Sequence, residues 1–226
     1  MIVTNLEIVK SWIVGGTFVR SADESYITAR WCIQTGQNSD FAWLAVHAFE
    51  KYMKAVLLMN GKTSKGHGHD IGKIYEAIKL LCNGLLPNSL QKESTTPETY
   101  LNSLYSIGHP DARYGLFDSN VRLDDLNNLD RMVYIIRRLI CPLDQKIDEV
   151  GNMPSDSIPT YRDWLGANAN DCLSIGGLLG KVIKDKTSPL RVPALNCNLA
   201  FSPADFGHDH DWENSAWRKS NSWAWS

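Results

Sequence analysis

Between residues 21 and 141 the apolar side chains recur with the period of an α-helix. No stretch there alternates with the period of two that a half-buried strand requires. That restricts the chain to an all-α architecture, an antiparallel helical bundle of about five helices. Ser21 and Glu24 read as a capping box opening the first helix, which closes near Gly36. The second is expected from Ser39 or Asp40 to Asn60, stopped by Gly61. A third starts with Asp70 as its cap, carries Ile71, Ile74, Tyr75, Ile78 and Leu81 on one face, and ends at Gly84. Thr96 and Pro97 open a fourth through Tyr105, and a fifth covers residues 123–140 with Pro142 just beyond.

Three segments follow from this pattern. Residues 1–20 form an N-terminal segment packing on the bundle, residues 21–142 the bundle itself, and residues 143–226 a less regular C-terminal extension. Within the extension, MPSDSIPTYRDW reads as a loop and LSIGGLLGKVIKD as a short helix. Its tail holds four of the eight tryptophans, Trp212, Trp217, Trp223 and Trp225, spaced for neither a helix stripe nor a long strand.

Composition narrows the function. With 226 residues and a net charge of −2 there is no overall basic field to recruit nucleic acid, so any such site is a local patch. The five cysteines are far apart and read as thiols of a reducing compartment. No apolar run approaches the roughly 18–20 residues of a membrane span. The apolar N-terminus carries Glu7 and Lys10, unlike a signal peptide, so a cytoplasmic protein is expected.

Residues 61–70, GKTSKGHGHD, contain two decoys. A phosphate-binding loop needs a glycine five residues before Gly61, where Val56 stands, and a strand upstream, where a helix is expected. Close imidazoles such as His67 and His69 can share a metal, but no cysteine or carboxylate cluster completes the set, and Asp70 is needed as a helix cap. The segment reads as a polar connection, with no metal and no cofactor.

Taken in order, ADESYITAR, then FAWLAVHAFEKYMKAVLLMNG, then a polar loop ending in HDIGKIYEAI, then HPDARYGLFDSNVRLDDLNNLDRMVYIIRRLI resembles the HEPN domain over about residues 21–142. The resemblance implies a helical bundle, often a homodimer. Such domains occur beside minimal nucleotidyltransferases, in toxin–antitoxin pairs and in RNA-cutting enzymes. The RNase branch pairs an Arg with a closely following His, a cation for the phosphorane and an imidazole to move a proton. At that spacing Arg113 meets Asp118, Ser119 and Asn120, and Arg30 meets Thr35, Gly36 and Gln37. The resemblance therefore implies a non-enzymatic protein binding a nucleotide, RNA or a partner subunit. The competing enzyme is a metal-independent ribonuclease using Arg113 and His109.

Candidate ligand residues are His47, Lys51 and Lys54, which with Glu50 form a narrow polar stripe on the second helix. Against phosphate contact by these lysines stands a solvated face with a Glu50–Lys54 pair. Arg113 and Tyr114 offer a guanidinium fork and a stacking ring, or a loop anchor. Arg131, Arg137 and Arg138 complement the dipole at the end of the fifth helix.

Overall fold

The helix expected to begin at Ser21 begins much earlier. A computed structural model describes residues 5–90, 95–109, 123–147, 158–167, 176–198 and 200–201. In it α1 (Asn5–Ile13) passes through a π-helical stretch, Val14–Val19, into α2 (Arg20–Gln34) without leaving helical backbone. The capping box is thus corrected. Val19 and Arg20 both have right-handed helical dihedrals, so the turn before Ser21 already supplies carbonyls to the amides a cap would serve. The side chains turn elsewhere: Ser25 Oγ donates to the Ser21 carbonyl at 2.9 Å, and Glu24 accepts from Arg20 at 3.2 Å.

The remaining helices follow local chemistry. Helix α3 (Asn38–Met59) ends in a Schellman turn, where Lys62 N–H donates to Leu57 O at 2.9 Å and Gly61 N–H to Leu58 O at 3.1 Å. Gly61 supplies the required left-handed φ of 69°. Helix α4 (Ile71–Cys82) is capped by the Asp70 carboxylate, which accepts from Lys73 N–H. Thr96 caps α5 (Pro97–Gly108), whose proline sits where an amide would have no partner. Helix α6 is Leu123–Arg138. Beyond it come α7 (Tyr161–Ala167), α8 (Gly177–Lys184) and α9 (Arg191–Leu195).

Helix α7 begins inside the stretch expected to be a loop. The reason is a true capping box: Thr160 N–H donates to Asp163 Oδ2 at 3.0 Å, and Asp163 N–H to Thr160 Oγ1 at 3.2 Å. Among the described residues there is no strand, only an isolated bridge between Lys146 and Thr160.

Helix α3 is the axis, packed against α2, α4, α5, α6 and the π stretch. Phe41, Phe49, Tyr52, Met53 and Val56 are fully enclosed along it. Helix α5 approaches so closely that a Cβ at Gly108 would lie 2.5 Å from the Ala42 carbonyl oxygen. Helices α8 and α9 fold back onto α2.

Candidate functional site

The polar stripe of α3 is half-buried where it crosses α2 and the α3–α4 connection. Lys51 extends to α2, its Nζ donating to Ser21 Oγ at 2.8 Å and to Ser25 Oγ at 3.4 Å. His47 packs edge-on against Trp43 one turn earlier, with ring centroids 4.2 Å apart. Glu50 is the centre of the group and is only 6% exposed. Its Oε1 accepts from Lys54 Nζ at 2.7 Å and from His69 Nδ1 at 2.9 Å.

Burial pushes the Glu50 carboxyl up, but the hydrogen bonds from Lys54 and His69 outweigh it, and the group lies below its ordinary value. It is therefore a carboxylate, which only accepts, so His69 presents a protonated Nδ1 to it. The His69 side chain is 80% exposed. That contact draws the exposed, lysine-bearing connection with Lys62 and Lys65 towards the stripe. Each lysine of the stripe already has a protein acceptor, so a phosphate would compete with serine hydroxyls at Lys51 and with a carboxylate at Lys54.

His109 lies at the C-terminal end of α5, its ring 5.0 Å from that of Tyr105. Arg113, Tyr114 and the four tail tryptophans lie outside the described residues. The stripe and His69 thus meet around Glu50. Among the described residues no group of three His, Cys, Asp or Glu converges as a metal site would.

Sequence reasoning set His69 aside as part of a polar connection and missed Glu50 as its partner. Arg137 and Arg138 do lie in the last turn of α6, as expected, but their burial was missed: Arg131, Arg137 and Arg138 are 5%, 8% and 5% exposed. Arg137 reaches away from the dipole, to Asp23 Oδ1 at 3.3 Å and to the Gly176 carbonyl at 2.7 Å. Burial alone lowers the Arg131 guanidinium to about 10. The available signal was on α2, where Asp23, Tyr26 and Arg30 recur at helical spacing among Ala22, Ile27, Ala29 and Ile33. Polar groups on that face need partners from elsewhere.

No helix among the described residues is long and apolar enough to cross a membrane. A family model, described as HEPN domain, matches residues 17–145. No curated protein and no solved structure matches the chain.

Proposed function

Because the chain belongs to the HEPN domain family, we propose that it is a non-enzymatic binding protein that recognises a nucleotide or RNA through the α3 stripe. The family supports a nucleotide- or RNA-related role. The observation that carries the finer reading is the single Glu50 oxygen shared by Lys54 and His69. It holds an ammonium and an exposed imidazole side by side, one turn from Lys51. A nucleotide or RNA phosphate docking there replaces the serine hydroxyls on Lys51 and meets the open edge of His69. Arg113 and Tyr114 stay in this proposal as the guanidinium and stacking ring of the same ligand site.

The protein also acts as a homodimer in this reading, with a nucleotidyltransferase or toxin–antitoxin partner as the wider assembly. The enclosed residues of α3 and α6 are used inside their own bundle. A self-association surface is better supported on α1, where Val9, Trp12 and Ile13 share one face and are 52%, 81% and 57% exposed.

Fluorescence anisotropy with labelled single-stranded RNA and with a labelled mononucleotide tests the site. Binding is expected to weaken with salt, and Lys51→Gln to lower the salt slope by about one phosphate contact. Unchanged affinity and slope in Lys51→Gln and His69→Ala would remove the stripe as the site. Chelator-resistant cutting of the RNA, lost in His109→Ala, would replace the binding protein by a ribonuclease.

A further inference from the structure

A second concentration of positive charge lies at the end of α6. There a cavity of about 350 Å³ opens between α1, the π stretch, the α6 terminus and the start of α8. Ser11, Gly15, Arg137, Arg138, Gly176 and Gly177 line it, and among the described residues no carboxylate does. Met59 and Ile140 make its wall apolar elsewhere.

The two arginines are built in. Arg137 stands with its guanidinium carbon 5.5 Å from the centre of the Tyr52 ring, and Arg138 with its own 5.6 Å from that of Tyr134. Both are more than nine-tenths buried, so their charges act in a poorly solvated setting where each is worth more than on an open surface. The contacts of Arg137 with described residues use Nη2 and Nε, towards Gly176 O and Asp23, which leaves Nη1 for a ligand.

Asp23 offsets one charge from behind. Its carboxylate is already engaged, accepting from Tyr52 Oη at 2.7 Å and from Leu179 N–H at 2.9 Å, so it both steadies Arg137 and caps α8. With that amide taken, the attraction for an anion comes from the guanidinium groups and not from the α8 terminus. Gly15 leaves the cavity open, and Gly177 lets the start of α8 approach Asp23. A Cβ at Gly15 would meet nothing within 4 Å, whereas one at Gly177 would lie 2.8 Å from Asp23 Oδ2.

From this we propose that the cavity is a binding site for a small phosphoryl-bearing anion, held by the Arg137 and Arg138 guanidinium groups beneath the π stretch. The volume sits at the low end for small-molecule sites, roughly 300–1,000 Å³, so it takes a phosphate or diphosphate group and not a nucleic-acid strand. A planar guanidinium pair suits two oxygens of such a group. The same chemistry is offered by a free inorganic ion and by the phosphate end of a nucleotide. This site is separate from the α3 stripe and does not depend on the reading of that stripe. A π-helical segment beside it fits a local distortion kept for a site.

The full chain is titrated by calorimetry with inorganic phosphate, pyrophosphate, ATP and adenosine. Saturable binding of pyrophosphate at one site per chain is expected, with none for adenosine. ATP binding as tightly as pyrophosphate assigns the nucleotide end as the source, and phosphate or pyrophosphate alone assigns the free ion. Gly15→Asp places a carboxylate in open space beside the arginines, and Arg138→Gln removes one charge. Each is expected to weaken pyrophosphate at least tenfold, while Gly15→Asp leaves RNA anisotropy unchanged. Ser11→Glu serves the same purpose should Gly15→Asp fail to fold by circular dichroism. No saturable binding of any of the three anions overturns the proposal. So does pyrophosphate affinity that survives both the introduced carboxylate and Arg138→Gln.

Discussion

Asp130→Ala is expected to be among the most damaging single substitutions in this chain. The Asp130 carboxylate receives Arg30 Nε at 2.8 Å and Nη2 at 3.1 Å, with side chains 2% and 0% exposed. Tyr26 Oη donates to the same carboxylate at 2.7 Å. Burial holds the Asp130 carboxyl above its ordinary value and the Arg30 charge offsets that only in part, so the pair stands only with both members present. Removing the acid leaves a guanidinium in the core without its counter-charge, which costs about 3–5 kcal/mol. At about 2–4 °C per kcal/mol for a chain of this size, the melting temperature should fall by roughly 6–20 °C. Arg30 also donates to the carbonyls of Pro193 at 2.7 Å and Asn196 at 2.8 Å. The double variant Arg30→Met with Asp130→Leu removes both charges and leaves the Pro193 carbonyl without its donor and the Tyr26 hydroxyl without its acceptor, at about 1 kcal/mol each, while Gln34 Nε2 still reaches the Asn196 carbonyl. It should therefore be more stable than Asp130→Ala and about 2 kcal/mol below the parent. Urea unfolding followed by circular dichroism reads all of these. A loss under about 1 kcal/mol for Asp130→Ala, or a double variant as unstable as the sum of its singles, would refute the reasoning.

Gly108→Ala should destabilise by about 1–3 kcal/mol despite the better helix propensity of alanine. The new methyl would meet the Ala42 backbone, which cannot rotate away, and thermal melting decides the sign. Asp70→Ala removes the acceptor for Lys73 N–H and should cost about 1 kcal/mol in the same assay. The Glu50 carboxyl lies below its ordinary value of 4.5, so its contribution is full above that pH and is lost as pH falls through the lower folded value. The urea midpoints of the parent and of Glu50→Gln should therefore differ near neutral pH and converge in acid. A gap that persists in acid would remove the charged Lys54–Glu50–His69 group as its source.

Helices α3, α4 and α5 were legible because their signals are local. Gly61, Asp70 and Thr96 each satisfy backbone groups within a few residues of themselves, and the apolar face of α4 is continuous. The same locality misled at Ser21. A serine followed three residues later by glutamate caps only when the chain before it has left the helix, and the sequence IVGGTFV instead widens into a π turn and continues. The Thr160–Asp163 box was hidden behind Pro159 and a run of turn-forming residues. At the α3 stripe the Glu50–Lys54 pair was expected, being one helical turn apart. His69 on Glu50 was not, since 19 residues separate them and only the folded connection brings them together.

Helix α2 explains why the short helices α8 and α9 and the described residues just after them lie against the bundle. Asp23, Tyr26 and Arg30 occupy one face of α2, and each lacks a partner on its own helix. Asp23 accepts from Leu179 N–H at the start of α8. Tyr26 receives Asn198 Nδ2 at 2.8 Å, and that side chain's oxygen takes the amides of Ala200 and Phe201. Arg30 gathers the carbonyls of Pro193 and Asn196 around α9. Without those groups α2 would bury an acid, a phenol and a guanidinium with fewer acceptors and donors than they need. The later segment therefore supplies hydrogen bonds as well as apolar cover, through Leu179, Ala194 and Leu195, all fully enclosed. A backbone that delivers carbonyls and amides to fixed side chains must expose those groups from turns, because a long regular helix would consume them internally. Short helices separated by turns meet that demand, and α8 and α9 have that form.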